Sequence, residues 1–390
     1  MTTGHVNIEP ALTALAAALH GEGPAVELSA AADGQPAVRL VEAPGFEDAA
    51  VVVRTSGSTG TPKATVLTVE ALAASSVGTA LALKGEGQWL LALPVEYVAG
   101  VQVLVRSLFA GTRPWAMDLS AGFTPEAFTA GALELTDKVR FTSLVPTQLQ
   151  RLLDSPSADT LAALRRFNGI LLGGAPASPE LLAAARDAGV RVVTTYGAAE
   201  TCGGCVYDGV PLDGVVVKLA EDGRILLGGD TLAAGYLDAP GPASEAFFVQ
   251  DGVRWYRSND LGSLNAEGNL TVLGRADDVI ITGGVKVSAA QVQAELEKFD
   301  GVLAAFVAGV PSAEWGQAVA AYVAVAEPGE GSGAAPRGIS RAGLAADWRR
   351  ALGVLAPKTV ATAAELMMLP NGKPDRLAMI AQLHALHQGK

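Results

Sequence analysis

Apolar residues recur along this chain in two alternating periods. Alanine and leucine fall at helical spacing over 9–20, and 69–83 reads the same way, so both segments are predicted helices. The stretch 25–53 between them breaks into short strands at Asp33-Gly34 and Pro44-Gly45. It ends in the apolar run Ala49-Ala50-Val51-Val52-Val53, which reads as a buried strand. Trp89-Leu90-Leu91-Ala92-Leu93 predicts another strand, stopped by Pro94 and followed by a mostly apolar helix over 98–110. Strands over 140–145, 169–172 and 191–194 then alternate with helices over 147–153 and 179–187. Such alternation predicts an α/β sheet covered by helices, with ligands at the carboxyl ends of its strands. From about 210 to 273 short strands and frequent Asp-Gly and Gly-Gly turns predict a β-rich subdomain. A Gly/Glu/Pro/Ala-rich stretch over 327–338 reads as a loop in the last domain, and no internal repeat is visible.

Composition narrows the function classes. At 390 residues the chain exceeds a typical single core, and with 49% apolar and 17% charged residues it is no disordered chain. A net charge of −12 speaks against nucleic acid or an anionic membrane as the main partner. Any anionic ligand must therefore find local positive groups. No apolar run reaches the ~18 residues of a membrane span. No Lys or Arg precedes the first apolar stretch, so no secretory signal is expected, and the expected compartment is the reducing cytoplasm. Both cysteines lie in Cys202-Gly203-Gly204-Cys205. Two thiols cannot close a tetrahedral zinc site, which leaves small structural residues of a loop or a redox-sensitive pair.

The loop after Val53 carries the first chemistry. Thr55-Ser56-Gly57-Ser58-Thr59-Gly60-Thr61-Pro62-Lys63 supplies hydroxyl donors, glycines that let backbone N–H groups approach a ligand, and a mobile cation. Such a loop suits a polyphosphate. It does not follow the Walker A spacing: Pro62 stands where the second glycine belongs, and Ala64 follows the lysine. In the apolar helix over 98–110, Gln102 and Arg106 share one face. Arg106 either pairs structurally or snorkels, or it forms the wall of an anion pocket; periodicity leaves both open.

Taken with five later segments, the loop resembles the signature of the adenylate-forming superfamily, which includes acyl-CoA synthetases, peptide-synthetase adenylation domains and luciferases. The segments are Gly173-Gly174-Ala175-Pro176, Tyr196-Gly197-Ala198-Ala199-Glu200-Thr201, Tyr256-Arg257-Ser258-Asn259-Asp260-Leu261-Gly262 followed by Gly274-Arg275-Ala276-Asp277-Asp278, and Pro370-Asn371-Gly372-Lys373-Pro374-Asp375-Arg376. Each alone passes for a turn; their order across the chain is the specific signal. The resemblance implies an α/β fold: a large N-terminal domain over 1–275, with the β-rich subdomain at 210–273, and a small mobile α+β domain over 276–390.

It also implies roles. Thr55, Ser56, Gly57, Ser58, Thr59, Gly60 and Lys63 would hold ATP phosphates. Gly173, Gly174, Ala175, Pro176, Tyr196, Gly197 and Thr201 would flank the nucleotide, with Asp260 and Arg275 at the ribose. Glu200 would hold Mg²⁺, Lys373 would be the adenylation lysine and Asp277 the hinge. Gly283, Gly284 and Lys286 would serve the thioester step with coenzyme A. The partners implied are a small-molecule carboxylic acid, ATP and CoA, in a monomer or homo-oligomer.

The segments at 93–107 and 142–149 resemble the branch of the family that acts on an aromatic acid with a second carboxylate. They make Tyr97, Arg106, Thr142, Ser143, Gly203 and Gly204 the candidate acid pocket. Three positions depart from the family pattern: Tyr97 for histidine, Ala199 for a hydroxyl residue and Asn259 for glycine. A ligase for another aromatic or medium-chain acid, or a domain loading a carrier protein, are the alternatives.

Overall fold

The computed structural model describes residues 6–31, 34–56, 62–237, 246–325, 341–369 and 374–389. They form two compact units, one of 1–220, 225–258 and 264–270, the other of 221–224, 259–263 and 271–390. The main break falls at 270/271, against an expected 275/276, and the second unit also takes two short excursions out of the β-rich region.

The first unit opens with α1 (Glu9–Leu19), started by Pro10 in its first turn and burying Ala11, Leu12, Leu15 and Ala18 along one stripe. β1 (Ala25–Ala30), β2 (Pro36–Val41), β3 (Ala49–Ser56) and β4 (Pro62–Thr68) follow. α2 (Val69–Leu83) starts where the Thr68 hydroxyl accepts from the Ala71 N–H at 3.2 Å. Next come β5 (Gln88–Leu91), α3 (Val98–Phe109), β6 (Trp115–Ala116), α4 (Pro125–Glu134), β7 (Arg140–Leu144), α5 (Pro146–Leu153), α6 (Ala158–Arg165), β8 (Gly169–Leu172) and α7 (Pro179–Asp187). The unit continues with β9 (Val192–Ala198), β10 (Gly203–Tyr207), β11 (Val210–Pro211), β12 (Val215–Leu219), β13 (Arg224–Gly229), β14 (Gly235–Tyr236), β15 (Phe247–Gln250) and β16 (Val253–Leu264).

These strands make three sheets. One runs β11-β10-β9-β8-β7-β5-β6, parallel from β9 through β6. Its faces are sorted by the two-residue period of its strands. Trp89, Leu91, Phe141 and Leu171 join α1, α2 and α3 in one core. Leu90, Leu144, Ile170 and Leu172 join α4 to α7 in the other. A second sheet, β14-β4-β3-β1-β2, packs its inner residues Val26, Val51, Val53 and Leu67 into the first of these cores. The third runs β12-β13-β16-β15.

Here the structure corrects an expectation. The strand that leads into the 55–63 motif is not part of the parallel sheet: β3 and β4, which flank it, pair antiparallel in the second sheet, where Thr55 faces Lys63 and Ser56 faces Pro62. Strand–loop–strand, rather than strand–loop–helix, is the physical difference from a Walker loop.

The second unit contains β17 (Leu270–Arg275), β18 (Val279–Thr282), β19 (Val285–Ser288), α8 (Ala289–Leu296), β20 (Val302–Ser312), β21 (Gly316–Val325), α9 (Arg341–Leu352), β22 (Thr359–Ala363) and α10 (Arg376–Gln388). Its sheet runs β19-β18-β21-β20, with β22 parallel to β21. One face packs on α8 and Trp348 of α9; the other packs on Met379 and Leu383 of α10. The 327–338 stretch lies outside the described residues.

Candidate active site

Lys63 and Glu200, 137 positions apart in sequence, meet on a tyrosine that sequence reasoning missed. Register in the hairpin sets Lys63 opposite Thr55 with its side chain exposed, and its ammonium stands 4.8 Å from the ring centroid of Tyr236. Glu200 sits in a 3₁₀ turn, Ala199–Thr201, that follows β9. The residue is only 8% exposed, so its carboxylate needs a donor, and Oε1 accepts from the Tyr236 hydroxyl at 2.7 Å.

The short strand β14 makes this junction. It pairs with β4 (Gly235 opposite Val66, Tyr236 opposite Thr65), and the Ala234 and Leu237 N–H groups bond Val66 and Ala64 carbonyls. One residue before Ala234, the Ala233 N–H donates to the Glu200 carbonyl at 2.9 Å. The hairpin and the glutamate turn are thus stitched to the same five-residue segment, 233–237. Burial, then the neighbouring Glu200 charge, raises the Tyr236 phenol above its usual range, so it stays a donor. Phe247 packs edge-on to the Tyr236 ring at 5.5 Å.

The glutamate turn is tightly built. β9 runs on through Tyr196 and Gly197 to Ala198, so those residues belong to a strand, not to the expected loop. The strand is prolonged because β10 folds back on it, pairing Gly203 with Ala198 and Gly204 with Gly197. A Cβ on Gly197 would lie 2.0 Å from the Gly203 carbonyl oxygen, and Gly203 has φ +90°. Thr201 also departs from expectation. It is fully buried, its Oγ1 accepting from Ala198 N–H at 2.9 Å and lying 2.7 Å from the Gly203 carbonyl oxygen. Its hydroxyl holds the turn rather than a nucleotide. Tyr196 donates its hydroxyl to Ser258 at 3.3 Å. In the loop after β8, a Cβ on Gly173 would meet Thr195 Oγ1 at 2.4 Å, and Gly174 has φ +83°.

Along the first core, α3 presents Gln102 and Arg106 to β10. Gln102 Nε2 donates to the Cys202 carbonyl at 2.6 Å. Arg106 is buried, with its guanidinium 5.4 Å from the Trp89 ring and Nη2 donating to the Tyr207 hydroxyl at 3.4 Å, while Nε has no partner. Tyr207 lies 2.9 Å from Thr79 Oγ1. Ser143 shares the sheet face of Phe141, the α3 side. Thr142 points to the other face, and its hydroxyl donates to the Leu90 carbonyl at 2.9 Å. Thr142 and Ser143 therefore cannot line one wall together. Tyr97 is the N-cap residue of α3, half-buried.

The two cysteines are not a redox pair. Cys202 belongs to the core under α2 and α3, Cys205 to the core beneath the third sheet. Both thiols are free and buried. Burial raises both, Cys205 to about 12, so they stay protonated.

In the second unit, Arg275 grips Asp277 through two bonds, Nε to Oδ1 at 2.8 Å and Nη2 to Oδ2 at 2.7 Å, and lies 3.9 Å from Asp260. Burial works against ionising Asp277, but the Arg275 bonds outweigh it and hold the carboxyl below its usual range. Asp278 pairs with Arg376, the first residue of α10. Gly283 and Gly284, both at positive φ, turn the β18–β19 hairpin, and Lys286 is exposed on β19. Gly57, Ser58, Thr59, Gly60 and Lys373 lie outside the described residues, as does the side chain of Ser56.

A three-sheet, helix-covered unit with a hydroxyl-rich hairpin beside a buried glutamate defines a nucleotide-handling enzyme class, and comparison gives it a family. Residues 6–237 match the AMP-binding enzyme family, and the chain belongs to it. Among curated relatives it is similar to a protein of Mycobacterium tuberculosis (strain CDC 1551 / Oshkosh) named "Probable 2-succinylbenzoate--CoA ligase". The two are 42% identical over 86% of this chain and 84% of the relative. The 2-succinylbenzoate--CoA ligase of Enterococcus faecalis (strain ATCC 700802 / V583) is 32% identical over 71% of this chain and 60% of its own length. Among solved structures, the Bacillus subtilis o-succinylbenzoate CoA synthetase in complex with its acyl-adenylate intermediate aligns with TM-score 0.70 and 25% identity, over 88% of this chain and 70% of that one. ATP-bound MatB from Rhodopseudomonas palustris aligns with TM-score 0.73 and 25% identity, over the same shares.

Proposed function

We propose that this chain is an ATP-dependent 2-succinylbenzoate–CoA ligase. The observation that carries the reading is the meeting of Lys63 and Glu200 on Tyr236, which puts a cation and a metal-binding carboxylate beside one phosphate hairpin. A carboxylate oxygen of the acid attacks the α-phosphorus of ATP; the new P–O bond forms as the bond to the bridging oxygen breaks, releasing pyrophosphate. The CoA sulfur then attacks the acyl carbonyl and expels AMP, and its proton leaves to solvent.

Three anionic phosphates must receive a fourth anion, so catalysis is largely electrostatic. Lys63, the hydroxyls of 55–59 and Lys373 supply the positive and donor groups. A single carboxylate such as Glu200 suits Mg²⁺, a hard ion that keeps several waters and leans on substrate phosphates. When bound, the ion would offset phosphate charge.

Arg106 is the residue we assign to the second carboxylate of the acid, and Ser143, Gly203 and Gly204 are assigned to the acid pocket. It is a buried guanidinium whose hydrogen-bond partner is a neutral hydroxyl, so its charge is left for a ligand. Asp260 and Arg275 are assigned to the ribose, Asp277 to the hinge and Lys286 to the thioester segment. Among the described residues no helix is long and apolar enough to cross a membrane, and the reducing cytoplasm is the compartment we assign.

ATP–pyrophosphate exchange tests the reading. 2-Succinylbenzoate should drive exchange, and benzoate and succinate should not. CoA should then convert the adenylate to thioester with release of AMP. Exchange driven instead by a medium-chain or simple aromatic acid would reassign the substrate. Transfer to a carrier protein but not to CoA would reassign the acceptor.

A further inference from the structure

We propose that Tyr236 is a positioning residue that sets the phosphate lysine and the metal-binding glutamate at a fixed separation, its hydroxyl serving Glu200 and its ring face serving Lys63. The inference rests on the adenylation reading above. Its support is geometric: one side chain holds both contacts, at 2.7 Å and 4.8 Å. The ring itself is fixed, because β14 is paired to β4, buries Tyr236 to 5% exposure and backs it with Phe247. Lys63 hangs from a strand end with an exposed side chain. A ring beneath its ammonium narrows the rotamers it samples and leaves its N–H donors for phosphate.

The two halves separate in two variants of the full chain. Tyr236→Phe removes the hydroxyl and keeps the ring; Tyr236→Leu removes both. ATP binding measured by calorimetry without divalent ions and without acid reads the Lys63 half. Tyr236→Phe should leave that affinity unchanged, and Tyr236→Leu should weaken it about two- to fivefold. In a Lys63→Ala background, Tyr236→Leu should add nothing. Pyrophosphate exchange with Mg²⁺ reads the Glu200 half: Tyr236→Phe should lower kcat about tenfold or more while the KM for ATP holds.

Thermal melting identifies any variant that fails to fold, and Tyr236→Phe then carries the test alone through its split of kcat from KM. Equal loss of metal-free ATP binding in the Phe and Leu variants, or a Leu effect that simply adds to Lys63→Ala, would overturn the assignment. So would wild-type kcat in Tyr236→Phe. Because the binding arm contains no acid, a wild-type protein that binds ATP yet ignores 2-succinylbenzoate would sink the substrate reading and leave this one standing.

Discussion

Gly197→Ala is the sharpest perturbation the structure offers, because it acts on backbone rather than on a flexible side chain. The added Cβ would sit 2.0 Å from the Gly203 carbonyl oxygen and 2.8 Å from Gly203 C. Both are main-chain atoms of β10, so β9 and β10 must part by about 1 Å to relieve the overlap. That movement pulls on the Gly203–Ala198 and Gly204–Gly197 pairs and on the Gly203 oxygen's 2.7 Å contact with Thr201 Oγ1. Overpacking of this kind costs about 1–3 kcal/mol, and two weakened hydrogen bonds add roughly 1 kcal/mol each. The sum, about 3–5 kcal/mol, should lower the melting temperature by on the order of 10 °C for a unit of this size. Glu200 lies three residues beyond Gly197, so exchange activity should also fall about 10²-fold, the usual effect of a ~1 Å misplacement in a catalytic group. Differential scanning fluorimetry and pyrophosphate exchange check both numbers. A variant that melts within about 2 °C of wild type and keeps activity within about threefold would refute the claim that this close approach sets the glutamate turn.

Three further outcomes are expected. Lys373→Ala should slow acyl-adenylate formation about 10²–10³-fold, while thioester formation from synthetic adenylate is nearly normal; equal losses in both half-reactions would remove its assigned role. Arg106→Met should raise the KM for 2-succinylbenzoate about 10- to 10²-fold through loss of a charged hydrogen bond. It should not lower the melting temperature, because the charge it deletes is buried without a carboxylate partner; a marked loss of stability with unchanged KM would make Arg106 purely structural. Cys202 and Cys205 should resist a thiol reagent in the native protein and react at once in denaturant, since both are fully buried and their thiol pKa values are raised.

Local pattern determined a good deal of this protein. The helix over 69–83 and the strand over 169–172 fall where periodicity and end signals put them, because apolar spacing and a capping threonine act within a few residues. The loop motifs were legible for a related reason: Gly197 marks a place where backbone meets backbone and Gly203 a left-handed φ of +90°, and glycine suits both. Tertiary structure decided what depends on pairing between distant segments. Tyr196 and Gly197 look like a loop until β10 folds back and extends β9 through them. Thr142 and Ser143 look like one polar wall until the sheet acquires a core on each face. Tyr236 sits in a stretch with no motif of its own, and only the seating of β14 on β4 carries it under Lys63 and against Glu200. Neighbours in sequence are set by local sterics and hydrogen bonding; neighbours across 137 positions are chosen by which strands bury their edges together.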